Sequence, residues 1–386
     1  MHQIKIRPVD TFFFRNHQSM NIGEDAEASG IFPPHPQTVY GALRSAYIHR
    51  YSDFGTFCKG TDENLKAFAG TPEECGSFQI KGVLLYDQEK LYCPLPLDYL
   101  VKNQLEEGKQ KAYSLRLKRD PDKNLSSDSS HWKLVSDRQE KTTSSDGIYV
   151  AMEEWKKTVV REMDASTSVE EVVVNTLDKW ICSEVKVGIA RNRLTGMSEE
   201  GMFYQMDFLR FRQEASKNET AGLSIITNTE GDSFKDISLL RLGGRNRPWL
   251  IESVSKTPKL ISESMKKNIV NTIEETGIAR IILLSPAIWK YGNRPSCWNE
   301  ASNTLELGNN FSLEVVTAAV GRGHLVGGWD IVERRPKKRA LAVSAGSVLY
   351  VKVPKDKVLS VVEAVEKHNW SDDLQNQGYG WVVCGC

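Results

Sequence analysis

The residues of this chain best suited to chemistry are cationic side chains gathered around glycines, and the chemistry they suit is phosphate binding. Arg334, Arg335, Lys337, Lys338 and Arg339 fill five of six consecutive positions, broken by Pro336, in a chain of zero formal net charge. The run lies between GRGHLVGGWD (321–330), which carries Arg322 and His324, and AGS (345–347). A second cluster, LGGRNR (242–247), surrounds Gly243 and Gly244 with Arg241, Arg245 and Arg247. Guanidinium forks and exposed backbone amides both match phosphate oxygens.

Each of these groups has two readings. In 242–247 the glycines would let phosphate oxygens reach the amides while the arginines neutralise charge; the alternative is a tight turn with solvated arginines. Arg191 and Arg193 alternate after a strand at 185–189, which would put both on one side of it, facing adjacent phosphates or solvent. Arg44 follows Leu43 on a helix near Gly41, where a second backbone could pack; it suits a buried structural pairing as well as nucleic-acid contact. Arg15 closes the first strand. In 334–339, Pro336 points to a turn or hairpin tip whose cations would give salt-dependent affinity, or simply solubility.

His324 could act as acid or base near neutral pH. A nuclease would need a second group beside the scissile phosphate, such as Tyr379 or a lysine, and the other reading of His324 is a loop or base-stacking role. GRGHLVGG superficially matches a dinucleotide loop, but strand-like residues rather than a helix follow it, which argues against that use. There is no HD pair, Walker loop or GGDD-like acidic cluster, so nuclease, ATPase and cyclase activities are not expected.

The scaffold holding these groups is that of an ordinary globular chain. Its 386 residues, 40% hydrophobic and 26% charged, are enough for two domains with their own cores. No apolar run reaches the ~18 residues of a membrane span, and the opening MHQIKIRPVD lacks the apolar core of a signal peptide, so a cytoplasmic protein is expected. The seven cysteines are odd in number and scattered, which fits reduced thiols. Only Cys384 and Cys386 lie close together, without a second ligand pair, so neither metal nor cofactor is expected.

Ile4 and Ile6 lead into Phe12, Phe13 and Phe14 as an opening strand, and a helix is expected from an N-cap at Thr38 to about Tyr51. Strands follow at 78–86 and 91–93 as a hairpin. The polar stretch 102–146 reads as a long surface insertion. A helical segment is expected at 169–181 and a hairpin with arms at 184–190 and 201–212. Further strands are expected at 223–227, 237–242, 250–254, 278–284, 311–319 and 347–353, with a last one in GYGWVV (378–383). Between them, a helix at 262–276 is marked by Ile261, Met265, Ile269 and Ile273 and ended by Gly277, and another carries Val358, Val361, Val362 and Val365. The order suggests an α+β chain of two β-α-β-β-α-β units, at 1–215 with a polar insertion at about 101–150, and at 216–386.

Six motifs in order carry a family resemblance: PVDTFFFR (8–15), FPPHPQTVYGALRSA (32–46), VGIARNRLTGMSEEGMFY (187–204), LRLGGRNR (240–247), VGRGHLVGGWD (320–330) and GYGWVVCG (378–385). Together they resemble the third subunit of the Cmr complex, the type III-B CRISPR RNA-guided effector, in the RAMP superfamily and similar to the Cas5 group. The chain departs from the family in the stretch 16–20 (Asn16, His17, Gln18, Ser19, Met20) and in having Arg245 after the glycine pair. The resemblance implies two ferredoxin-like domains and a non-catalytic RNA-binding subunit of antiviral defence. Its partners would be the 5′ tag of the CRISPR RNA (crRNA), the large polymerase-like Cmr subunit and the backbone Cmr subunit. It tips Arg191 and Arg193 towards RNA and gives Arg15 an RNA or partner role. The rivals are a metal-independent CRISPR RNA endoribonuclease of the same superfamily and the equivalent type III-A subunit.

Overall fold

The computed structural model describes residues 1–16, 27–105, 108–119, 131–160, 171–212, 221–229, 231–256, 259–308 and 311–386. The chain is mixed α/β with mostly antiparallel sheets, and it forms two compact units. One unit takes residues 1–89, 178–257 and 325–339; the other takes 90–177, 258–324 and 340–386. The units are therefore interleaved along the chain, where the sequence suggested a single division at 215/216. The reason is long-range pairing, since the first strand lies between strands that begin at residues 221 and 248.

In the first unit, His2–Pro8 pairs antiparallel with Ala221–Thr227 on one side and Pro248–Lys256 on the other. Ile80–Asp87 and Leu239–Arg241 flank these. Ile4 and Ile6 are fully buried. The helix Pro36–Tyr51 starts at Pro36, two residues before the expected cap, because a proline at the first helical turn gives up no needed donor. Two short helices not anticipated from sequence follow, Phe54–Lys59 and Glu63–Ala69, each with an aspartate cap, Asp53 and Asp62.

The three phenylalanines do not continue the first strand. They are held by isolated bridges, Phe12 to Leu209 and Arg15 to Gly30. Their rings alternate, with Phe12 and Phe14 against Trp249 at 5.1 and 6.0 Å and Phe13 against Phe208 at 5.8 Å. Phe208 lies on Ser198–Phe211, which pairs antiparallel with Ile181–Arg191 in a long hairpin.

In the second unit a six-stranded antiparallel sheet runs Trp298–Asn299, Thr304–Leu307, Phe311–Ala319, Val348–Lys352, Ile278–Leu283, Val382–Gly385. The helix Glu263–Thr276 is capped by the Ser262 hydroxyl and ends at Gly277 in the left-handed conformation, as its pattern predicts. Val358–Lys367 buries the four expected valines. The final strand begins at Val382, four residues later than expected.

Arg280 is buried on Ile278–Leu283. It donates from Nε and Nη2 to Asp98 Oδ2 at 2.9 and 2.7 Å, and from Nη1 to the carbonyls of Thr158 and Cys386 at 2.7 and 3.2 Å. Tyr350 donates to the same carboxylate oxygen at 2.6 Å. A buried ion pair survives desolvation only with such a set of partners.

Two expectations for this unit are corrected. Within the stretch read as a surface insertion, Gln110–Ser114 and Thr142–Ser144 join a four-stranded sheet with Tyr99–Lys102 and Glu171–Val174, and Arg116–Arg119 pairs with Trp132–Val135. Its SSDSS segment (126–130) lies outside the described residues. Within the expected helix at 169–181, Glu171–Val174 is a strand with alternating burial, since Val172 and Val174 face inward at period two. The unexpected helix Met152–Val159 buries Trp155 completely. Among the described residues no helix is long and apolar enough to cross a membrane.

Candidate nucleic-acid interface

The 242–247 loop joins Leu239–Arg241 to Pro248–Lys256, with Arg241 opposite Pro248 and the Leu242 amide donating to the Arg247 carbonyl at 2.9 Å. Gly243 has φ +85°, and a Cβ there would lie 2.6 Å from the Phe13 carbonyl oxygen. The Gly244 amide donates to that oxygen at 2.7 Å. The glycines therefore seat the loop on the Phe13 backbone, and the Gly244 amide is engaged within the chain instead of open to phosphate. Beyond them, Arg245 (φ 58°) and Asn246 (φ 52°) are both left-handed. Two successive side-chain-bearing residues in that region are strained, and such strain clusters at functional sites.

The loop arginines divide into two kinds. Arg241 and Arg245 are exposed. Arg247 is half-buried, its guanidinium 4.7 Å from the Phe208 ring and 3.7 Å from the Asp10 carboxylate, which makes it part of the packing under the loop. Arg15, also exposed, follows Phe13 by two residues and bridges Gly30.

Arg191 and Arg193 lie elsewhere, at the closed end of the long hairpin. Arg191 ends its strand, while Arg193 sits in a turn closed by the Asn192 side chain, which accepts from the Leu194 and Thr195 amides at 2.9 and 3.1 Å. The expected alternation on one strand face therefore fails, because Asn192 turns the backbone. Both arginines remain exposed.

Arg44 takes the structural alternative. Its Nε donates to the Ala69 carbonyl and its Nη2 to the Thr71 carbonyl, both at 2.6 Å, and the guanidinium stacks 4.8 Å from the Phe57 ring. It thereby closes the end of the Glu63–Ala69 helix. Among the described residues nothing lies within 4 Å of a Cβ built at Gly41.

In the 321–328 stretch the first glycines answer to packing: a Cβ at Gly321 would lie 2.8 Å from Ser344 Cβ, and one at Gly323 would lie 2.8 Å from Leu341. Arg322 is exposed. His324 is half-buried, and burial pushes its pKa below the ordinary value, against the opposing charge of Asp146. The imidazole is accordingly neutral at physiological pH and adds no cation to the surface.

Residues 329–336 form a small hairpin, Trp329 opposite Pro336 and Asp330 opposite Arg335. Pro336 thus lies in a strand, and the tip falls at 331–334, where Arg334 is left-handed at φ 51°. Arg334, Arg335, Lys337, Lys338 and Arg339 are all exposed. Sequence reasoning passed over Trp329, an exposed aromatic beside this run; an aromatic among cations was the signal that could have singled it out. Among the described residues no group of three or more His, Cys, Asp and Glu side chains is placed to hold a metal ion.

Two solved structures match nearly the whole chain. One is a chain of the type III-B Cmr-beta complex bound to cognate target RNA and AMPPnP, at 15% identity, covering 99% of both chains with a TM-score of 0.51. The other is a chain of the same complex bound to cognate target RNA, at 15% identity, covering 98% of this chain and 96% of that one with a TM-score of 0.50. At such identity these establish a shared fold. A search of curated proteins returned no match. The family model described as CRISPR-associated protein (Cas_Cmr3) matches residues 4–386, and the chain belongs to that family.

Proposed function

We propose that this chain is a non-catalytic crRNA-binding subunit of a type III-B effector complex. It holds the 5′ tag of the crRNA and bridges the large polymerase-like subunit to the backbone filament. It acts in the cytoplasm, and both of its units are ferredoxin-like in this reading. The observation that carries it is the 242–247 loop, which is hydrogen-bonded to the Phe13 carbonyl and exposes Arg241 at its strand end and Arg245 in the left-handed conformation. Arginines on a backbone held in this way match adjacent phosphates in charge and in fork geometry.

The test is charge reversal of Arg241 and Arg245 together in the assembled complex. Loss of guide RNA with subunit assembly intact supports the reading, and unchanged guide retention refutes the loop's role. An endoribonuclease acting through His324 is the second reading, favoured by its neutral, half-buried imidazole, which suits a general base. Incubation of the protein with repeat RNA in EDTA separates the two, because site-specific cleavage would overturn the non-catalytic assignment. The large and backbone subunits that co-purify distinguish a type III-B from a type III-A complex.

A further inference from the structure

The 329–336 hairpin is more ordered than a solubilising tip requires. Asp330 Oδ1 accepts from the Val332 and Glu333 amides, both at 3.0 Å, which closes the turn. The Glu333 amide foremost, then the Val332 amide and the charges of Lys337 and Arg335, hold the Asp330 carboxyl below the usual range against the opposing effect of burial. The Lys337 amide donates to the Gly328 carbonyl at 2.9 Å, continuing the ladder past Pro336. The Gln37 side-chain amide donates to the Gly327 carbonyl and ties the base of the hairpin to the helix Pro36–Tyr51.

This frame holds an indole in the open. Trp329 is 56% exposed, although a tryptophan ring is the side chain that gains most from burial. Residues directly opposite in an antiparallel pair share a face, so Trp329 and Pro336 project to one side and Asp330 and Arg335 to the other. The acidic groups here are few and engaged: Asp330 holds the turn, and Glu333 lies 3.9 Å from Arg335. A flat apolar surface, next to glycines against which the Lys337 and Arg339 side chains lie, has the two parts that one unpaired nucleotide needs, a stacking partner for the base and positive charge for its phosphates.

We propose that Trp329 is a stacking platform for an unpaired base of single-stranded RNA, with the 334–339 cations on the flanking phosphates. The inference rests on the RNA-binding reading above and adds to it a second contact, at a different loop and of a different kind. An acidic protein segment would also answer the charge, but the planar indole paired with proline favours a base.

The test measures binding of the full-length chain to adenine and uracil homopolymers of about twelve nucleotides, a length within the range of single-strand sites. Trp329→Ala is expected to weaken adenine-oligomer binding about five- to tenfold and uracil-oligomer binding less, since purines stack more strongly. Trp329→Phe should keep most of the affinity. Lys337→Glu with Lys338→Glu should weaken both oligomers alike and flatten the salt dependence. Unchanged binding of both RNAs by Trp329→Ala overturns the proposal, as does failure of the wild-type chain to bind either RNA. So does a loss confined to a glutamate-rich peptide, which would make the hairpin a protein dock. Reversal of Arg241 and Arg245, run alongside, separates the two claims. If it is neutral while Trp329→Ala weakens binding, the loop reading fails and the platform stands; the opposite pattern removes only the platform.

Discussion

The backbone amide of Gly244 donates to the carbonyl of Phe13 at 2.7 Å, so the glycine pair of LGGRNR secures the loop to the chain, with Arg245 exposed beyond it. Only glycine fits at Gly243, where φ is +85° and a Cβ would stand 2.6 Å from the same carbonyl oxygen. At Gly244 a Cβ would meet the Phe13 ring at 3.0 Å, and a ring edge can yield where a carbonyl cannot. Gly243→Ala is expected to cost about 1–3 kcal/mol, with Gly244→Ala costing less. Urea unfolding of the two variants checks the order.

Arg44→Ala removes the donors to the Ala69 and Thr71 carbonyls and the stack on Phe57. The expected loss is about 1.5–3 kcal/mol of stability, the range for hydrogen bonds to charged groups. RNA affinity measured at a temperature where the variant stays folded should keep the wild-type salt slope. A changed slope would put Arg44 on the RNA.

Arg241 and Arg245 should behave oppositely. Replacing both by alanine is expected to leave the unfolding midpoint near wild type and to lower the salt slope of single-strand binding by about 1.4, two phosphates at about 0.7 each. Arg247→Ala, which loses packing on Phe208, should lower stability instead. Titrations of a short RNA at several salt concentrations resolve the three residues.

Acid stability follows from Glu171. Burial acts to raise its carboxyl pKa, but hydrogen bonds and charge from Arg138 and Lys102 outweigh it and bring the value from 4.5 to about 2. With the folded value below the unfolded one, this group's contribution is complete above the unfolded pKa and is lost as pH falls towards the folded one. Wild-type stability should therefore drop between pH 4.5 and about 2 more steeply than that of Glu171→Gln. Parallel pH-dependent unfolding curves for the two proteins would contradict this.

Legibility in the sequence tracked how local the cause was. The helix Glu263–Thr276 was readable to within a residue, because Ile269 and Ile273 repeat at helical spacing between a serine cap and a terminal glycine. Strand Glu171–Val174 falls inside a stretch whose sequence reads as helix, because four residues are too few to reveal their period against a polar background. Arg44 has two readings in the sequence because its acceptors are carbonyls 25 and 27 residues away, and backbone acceptors leave no trace in residue type. The Arg280–Asp98 pair, 182 residues apart, was hidden for a related reason: neither residue has a local pattern marking it as buried. At the candidate interface the cationic clusters were visible as composition. Which arginines point outward depended on contacts of Phe13, Phe208 and Asn192 that only the fold creates.

The most direct measurement is to purify the protein under mild salt from cells that make it and to sequence the 5′ ends of the RNA it carries. A common repeat-derived tag at those ends, arriving with a large subunit and backbone subunits, is the result expected. Protein recovered without RNA or partner subunits, or RNA with unrelated 5′ ends, would contradict the claim that this chain holds the crRNA tag.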